Sequence, residues 1–271
     1  MPELPEVETV VRTLRPAVVG KRIDRVSLFR DDYATPGDFG WGLANRRVTG
    51  VRRRAKRIVI DLCGRESFVV HLGMTGRLTL DEPAMPRAIH THAVFAIGSK
   101  ELRLCDPRRF GRLHWIGSDA GEVDARVGPE PLELPAAKLA SMLQTTARPL
   151  KSALLDQTFI AGLGNIYVDE ALHAARLHPL TSCRDVDRPA VGRLSRAIKR
   201  ILSRAIDAGG STLRDYVDAA GNAGSFQQVH KVYGRAGEPC RRCRTPIVKF
   251  VHAGRGTHVC PTCQQQVVPS S

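Results

Sequence analysis

Arg57-Ile58-Val59-Ile60-Asp61-Leu62-Cys63-Gly64-Arg65-Glu66-Ser67-Phe68-Val69-Val70-His71-Leu72-Gly73-Met74 holds two short apolar runs, Arg57 to Leu62 and Ser67 to Leu72, interrupted at Gly64 and closed by Gly73. The residues between them are too few for a helical crossover, so the runs read as neighbouring antiparallel strands. The pattern continues outward through Arg77 to Leu80, His92 to Ile97, Glu101 to Cys105 and Leu113 to Ile116, with Gly76, Gly98 and Gly111 as further punctuation. Strands returning at this spacing predict an antiparallel β-sandwich or barrel. Upstream, Pro5 stands at a first helical position, Glu6 and Glu8 fill the first turn, and Val7, Val10, Val11 and Leu14 recur at helical spacing, which predicts a short amphipathic helix over 5–15.

Downstream the character changes. Residues 118–135, including Gly128-Pro129-Glu130-Pro131, have no sustained period and read as a connection. Beyond them Ala136 to Gln144 and Asn165 to Ala175 fit helices, and Val191, Leu194, Ile198, Ile201 and Ala205 mark the apolar face of a longer one that stops at Gly209-Gly210. Arg193, Arg196, Lys199, Arg200 and Arg204 fill its other positions, as a solvated face or a phosphate-facing one. The expected fold is α+β and multidomain: residues 1–128 an N-terminal antiparallel β-sandwich with flanking helices, 129–135 a linker, 136–229 a helical domain, and 230–271 a metal-binding β-hairpin.

Composition bounds the partners. Of 271 residues, 41 are Lys or Arg and 27 Asp or Glu, a formal charge of +14 that a folded chain of 42% hydrophobic residues must carry on its surface. That points to a polyanion. No apolar run approaches the ~18 residues of a membrane span, and the first residues are acidic where a signal peptide is basic and then apolar, which argues against membrane and secretion. Seven cysteines include Cys240-x2-Cys243-x16-Cys260-x2-Cys263, two knuckles whose four thiolates can converge on one structural zinc and leave no position for water. Around them Lys231, Arg235, Arg241, Arg242, Arg244, Lys249 and Arg255 face a single acid, Glu238, so this ribbon is expected to touch nucleic acid. Cys63, Cys105 and Cys183 read as small buried hydrophobes of a reducing compartment.

The N-terminus offers chemistry. A Met followed by Pro is normally removed, which frees the secondary amine of Pro2 beside two carboxylates, Glu3 and Glu6. A terminal amine with a pKa near ~8 is roughly a tenth neutral at pH 7, so it can attack a carbon electrophile where a lysine is almost wholly protonated. On the residues alone, a Pro-rich helix lead-in with acids at the positive helix end explains the same segment.

Pro2-Glu3-Leu4-Pro5-Glu6-Val7-Glu8-Thr9, His71-Leu72-Gly73-Met74-Thr75-Gly76, Asp106-Pro107-Arg108-Arg109-Phe110-Gly111, Gly162-Leu163-Gly164-Asn165-Ile166-Tyr167 and Val232-Tyr233-Gly234-Arg235 before the four cysteines closely resemble the bacterial formamidopyrimidine-DNA glycosylases, in order and at the family's spacing up to Cys263. The resemblance implies a two-domain clamp on double-stranded DNA, a β-sandwich and a helix-two-turn-helix domain with its zinc ribbon, acting as a monomer in the bacterial cytoplasm. It implies excision of oxidised purines, chiefly 8-oxoguanine and formamidopyrimidines, and cleavage on both sides of the abasic sugar. Pro2 is then the nucleophile at the sugar C1′, Glu3 the acid that opens the ring and Glu6 the support of the terminus, while Lys56 contacts a phosphate and Lys151 lies near the lesion. His71 belongs with the DNA contacts. A damaged base must leave the stack and the gap be filled, and Met74, Arg108 and Phe110 match the family's filling triad, with Phe110 as wedge and Arg108 facing the orphaned cytosine. A core role is the alternative for Met74 and Phe110, although Gly73 and Gly76 favour a turn tip. Asn165, otherwise a helix N-cap, and Arg255 would hold the flanking phosphates. Gly221-Asn222-Ala223-Gly224-Ser225-Phe226 resembles the loop that closes over the flipped base. The competing readings are an endonuclease VIII-like enzyme for oxidised pyrimidines and a catalytically silent zinc-ribbon DNA-binding protein; Leu4 and the filling triad favour the purine enzyme.

Overall fold

The computed structural model describes residues 2–35, 42–118, 123 and 127–266. They form two compact units, Met1–Ala125 with Ile206–Gln227, and Arg126–Ala205 with Gln228–Ser271.

The first unit opens with α1 (Leu4–Val18), in which Pro5 takes the second helical position, followed by β1 (Ile23–Leu28), β2 (Ala34–Thr35), β3 (Val48–Arg54), β4 (Arg57–Leu62), β5 (Glu66–His71), β6 (Arg77–Asp81), β7 (Thr91–Ile97), β8 (Lys100–Cys105) and β9 (Arg112–Gly117). They make a four-stranded sheet, β1-β7-β8-β6, and a five-stranded one, β2-β9-β5-β4-β3. Both are antiparallel except for the two-residue pair β2–β9, which is parallel because β2 joins from a long connection and not a hairpin. The inner faces meet in one core, where Phe68 and Phe95 stack at 5.5 Å. Helix α1 adds Val7, Val10, Val11, Leu14 and Val18, all fully buried, at about 1.5–3 kcal/mol each.

The segment 206–227, assigned from sequence to the helical domain, groups instead with this unit. Ser211 N–H donates to Glu6 Oε1 at 2.7 Å, Tyr216 OH to the Glu6 carbonyl at 3.2 Å, Ala219 N–H to Thr13 Oγ1 at 3.1 Å, and Leu80 N–H to the Ala219 carbonyl at 2.8 Å. Tyr216 and Ala219 also join the sandwich core. The loop 218–224 is closed on Asp218, which accepts the amides of Ala220 and Asn222 at 2.9 and 2.8 Å.

The second unit holds α2 (Ala136–Gln144), α3 (Leu150–Leu155), α4 (Asn165–Ala175) and α5 (Arg188–Asp207), and a hairpin of β10 (Val248–His252) and β11 (Arg255–Val259). Residues 127–135 are less free than a linker: Gly128 N–H donates to the Gln157 carbonyl at 2.8 Å and Ala161 N–H to that of Pro129 at 3.0 Å. In α5 the apolar residues named above are buried, and Arg193, Arg196, Arg200 and Arg204 face solvent. Among the described residues no helix is long and apolar enough to cross a membrane.

Candidate functional site

In the first unit the N-terminal segment is buried and pinned. Pro2, Glu3 and Glu6 lie inside, and the Glu6 carboxylate takes the Glu3 N–H on Oε2 at 2.8 Å and the Ser211 N–H on Oε1 at 2.7 Å. An added Cβ at Gly210, whose φ is 81°, would meet that carboxylate at 2.9 Å, so glycine is required where the distant strand of chain passes Glu6. Lys56, only 8% exposed, sits in the two-residue turn between β3 and β4. Arg53 ties this turn to α1, since its guanidinium donates to Glu8 and to the Ala55 carbonyl, both at 3.0 Å. At the end of β5, His71 Nδ1 accepts the Gly73 N–H at 3.2 Å. Burial first, then the charges of Arg57 and Lys56, hold its pKa below the ordinary imidazole range, so His71 is neutral and, with Nδ1 accepting, carries its proton on Nε2.

Two turn tips stand together beyond it. Met74 is 40% and Phe110 52% exposed, which rules out the core alternative for both. The Arg108 guanidinium lies over the Phe110 ring at 4.9 Å. Gly73, at φ 62°, leaves no room for a side chain, because a Cβ there would stand 2.5 Å from the Gly111 nitrogen and the Phe110 carbonyl carbon.

The second unit carries Asn165, Arg255, Lys151 and the cysteines. Asn165 is not the N-cap; Gly164 is, and the Asn165 side chain turns to donate from Nδ2 to the Gly256 carbonyl at 2.9 Å. Arg255 is exposed at the first position after the hairpin turn Ala253-Gly254, both residues of which have positive φ. Lys151 is fully buried: its Nζ donates to Asp169 Oδ1 at 2.6 Å and to the Gly256 carbonyl at 3.0 Å. Asp169 Oδ2 in turn accepts the His258 N–H at 2.9 Å. The ammonium that the resemblance places near a lesion is thus spent inside the unit, on the backbone next to Arg255.

The four sulfurs of Cys240, Cys243, Cys260 and Cys263 lie within 4.8 Å of one another. The separations Cys240–Cys263, Cys243–Cys260 and Cys243–Cys263 are 4.0, 3.3 and 3.5 Å. Four thiolates at ~2.3 Å from one zinc in a tetrahedron stand about 3.8 Å apart, so the set fits that ion and offers it no open position. Amides of Arg242 and Cys263 donate to Cys240 and Cys260 sulfurs, as knuckle turns do. Around the cluster Lys231, Arg241, Arg242, Arg244 and Lys249 are exposed. Cys105 and Cys183 are buried as expected, and Cys63 half-buried.

Sequence reasoning passed over Asp106, Asp169 and Glu170. The last accepts three successive amides, those of Lys231, Val232 and Tyr233, at 2.8–2.9 Å and so holds the chain leading into the ribbon. Two acids inside the apolar run Ile166 to Ala175 were the available signal.

A basic zinc ribbon, paired exposed turn tips carrying an arginine and an aromatic ring, and a buried carboxylate pair at the N-terminus are the parts of an enzyme that acts on nucleic acid. Family models match in sequence order: the formamidopyrimidine-DNA glycosylase N-terminal domain over residues 1–113, the H2TH domain of the same enzymes over 127–217, and the zinc finger found in FPG and IleRS over 237–266. The chain belongs to the formamidopyrimidine-DNA glycosylase family. It is 45% identical to the formamidopyrimidine-DNA glycosylase of Gluconobacter oxydans over 98% of this chain and all of that one, and 42% identical to that of Herpetosiphon aurantiacus over 97% and all. Among solved structures, a Lactococcus lactis Fpg mutant in complex with Fapy-dG-containing DNA aligns at TM-score 0.93 and 35% identity over 98% of this chain and all of that one. The Lactococcus lactis Fpg bound to abasic-site DNA aligns at 0.92.

Proposed function

We propose that this chain is a bifunctional DNA glycosylase that excises oxidised purines and then cleaves the backbone at the resulting abasic sugar. The observation that carries the proposal is the buried terminus, where Glu6 holds the Glu3 amide and the Ser211 amide and so fixes Pro2 and Glu3 in place. With Met1 removed, the Pro2 nitrogen attacks C1′ as the bond to the damaged base breaks and the base leaves with its electron pair and a proton. Glu3 protonates the ring oxygen, the sugar opens, and nitrogen and C1′ form an iminium. Loss of a C2′ proton then expels the 3′-phosphate, and a second elimination the 5′-phosphate. Lys56, neutral His71, Asn165 and exposed Arg255 are assigned to the phosphates, each from a backbone position its own unit fixes. Met74, Arg108 and Phe110 occupy the gap left by the flipped nucleotide. Cys240, Cys243, Cys260 and Cys263 hold zinc, which supplies folding free energy to a ribbon with few apolar residues and no chemistry to the reaction. One chain suffices, and its place of work is the bacterial cytoplasm.

The family, and the Fapy-dG-containing DNA bound by its Lactococcus lactis member, support the purine assignment. Borohydride added to the processed protein with 8-oxoguanine-containing duplex is expected to trap a covalent adduct through Pro2, and Glu3→Gln to lose base excision while more activity survives on a preformed abasic site. Trapping at full yield with Met1 retained overturns the assignment of Pro2, and preferential trapping on thymine glycol overturns the purine reading.

A further inference from the structure

We infer that Asp106 and Thr75 are positioning residues for the gap-filling side chains, forming with Tyr33 a buried lock that holds the Met74 and Arg108–Phe110 tips at one fixed separation. The inference rests on the gap-filling role proposed above. Asp106 is fully buried, and its two oxygens reach three segments. Oδ1 accepts the Thr75 hydroxyl at 2.6 Å; Oδ2 accepts the Tyr33 hydroxyl at 3.0 Å and the Gly111 N–H at 2.7 Å. Having donated its proton, the Thr75 oxygen accepts the Arg108 N–H at 3.2 Å. The Asp106 carbonyl is also engaged, by His92 Nε2 at 2.8 Å, and the His92 ring lies against Tyr33 at 4.7 Å.

The placement is specific. Met74 precedes Thr75, Phe110 precedes Gly111, and Arg108 gives its own amide to Thr75, so each exposed side chain stands on or beside a group bound to the one carboxylate network. Burial by itself would raise the Asp106 pKa, but the hydrogen bonds from Thr75, Gly111, Tyr33 and Arg108 outweigh it and keep the group ionised below the usual carboxylate range. Tyr33, raised by burial and by Asp106, stays protonated as the donor. A wedge can unstack a base pair only if its root does not yield, and side chains already ordered before binding spend no entropy on the encounter.

The test uses the processed, zinc-loaded full chain under single turnover. Thr75→Val keeps the shape and removes both hydrogen bonds, Thr75→Ser restores them, and Asp106→Asn is a second disruption of equal volume. Thr75→Val and Asp106→Asn are expected to slow excision of 8-oxoguanine opposite cytosine by about ten- to a hundredfold and to flatten the opposite-base preference, whereas cleavage of a preformed abasic site falls by only about threefold. Thr75→Ser is expected to return to within about twofold of the parent. Equal losses on both substrates, or unchanged excision and unchanged opposite-base preference, overturn the inference. Phe110→Ala separates the two levels: if it slows excision and Thr75→Val does not, the lock is refuted and the gap-filling role stands; if neither does, both fall.

Discussion

Lys151 and Asp169 make a test of how the second unit presents Arg255. Their charges meet at 2.6 Å with both side chains fully buried. At an effective dielectric of ~20 the gross attraction is about 6 kcal/mol, close to what dehydrating two ions costs, so the pair as a whole adds little net stability. Removing one member is a different matter, because the survivor stays dehydrated. Lys151→Met and Asp169→Asn are each expected to cost about 3–5 kcal/mol. In the double variant no charge remains, and the amide oxygen that replaces the carboxylate still accepts the His258 N–H, so the cost drops to about 1–2 kcal/mol for imperfect pairing. The cycle then closes on a coupling of about 4 kcal/mol or more, above the usual range for contacting residues, as expected where both charges are fully buried.

Native-state hydrogen exchange in α4 and β11 of the zinc-loaded chain reads these costs where they fall, since sub-global opening of this unit need not engage the sandwich. Affinity for an abasic-analogue duplex is the second reading. The Gly256 carbonyl takes hydrogen bonds from both Lys151 and Asn165 and lies next to Arg255 in the chain. Each single variant should therefore weaken duplex binding more than the double does. Single variants within about 1 kcal/mol of the parent, or a double whose cost equals the sum of the singles, would show that Lys151 and Asp169 are not coupled as a buried ion pair.

Cys243→Ser should release zinc, expose the β10–β11 amides to exchange and abolish tight duplex binding while near-ultraviolet signals from Trp115 in the sandwich persist; retained affinity without zinc would count against the ribbon as a DNA contact. Arg108→Ala should reduce the preference for cytosine opposite the lesion by about 1–3 kcal/mol, and a uniform loss against every opposite base would make Arg108 a phosphate contact. Burial holds His230 neutral down to about 4, whereas an unfolded imidazole takes up its proton near ~6.5. Its folded pKa being depressed, the stability it contributes is complete above ~6.5 and is lost as the pH falls towards 4, roughly 3 kcal/mol across that window. His230→Phe should flatten the acid limb of the second unit's stability profile, and parallel limbs for parent and variant would exclude His230 as the cause.

Strand legibility follows the apolar pattern more than the place in the sheet, since β6, an edge strand, is read from Leu78 and Leu80 as readily as the central ones. β4, β5, β7, β8 and β9 have partners on both sides and carry contiguous or alternating apolar residues, whereas β1 and β3, like β6, lie at sheet edges. β1 buries fully only Ile23, and β3 ends in three arginines, so neither shows the pattern that burial on both faces imposes. The zinc set was legible because its spacing is local. The reach of Asp106 to Tyr33, 73 residues away, and of Asp169 to His258, 89 away, has no local signature. The grouping of 206–227 with the sandwich was hidden for the same reason, since it rests on Glu6 and Thr13, more than two hundred positions upstream.

Those long-range contacts share one physical form. Glu6, Asp106, Asp169 and Glu170 are buried carboxylates, and each gathers backbone amides from a segment distant in sequence or from an irregular loop: Glu3 and Ser211, Gly111, His258, and Lys231 to Tyr233. A chain of net charge +14 that is to meet a polyanion must crowd cations on its surface, and like charges push the loops that carry them apart. Loops also expose amides that no ladder satisfies. A carboxylate placed beneath the loop answers both problems, because it accepts the orphan amides beside it and, where its hydrogen bonds keep it ionised as at Asp106, also attracts the cations above it, with charge-assisted bonds about twice as strong as neutral ones. Truncating any of the four to alanine would leave amides unpaired at about 1–3 kcal/mol each and release a cationic or apolar tip from its root. In this chain, then, these four buried acids set where the loops that carry basic and apolar side chains stand.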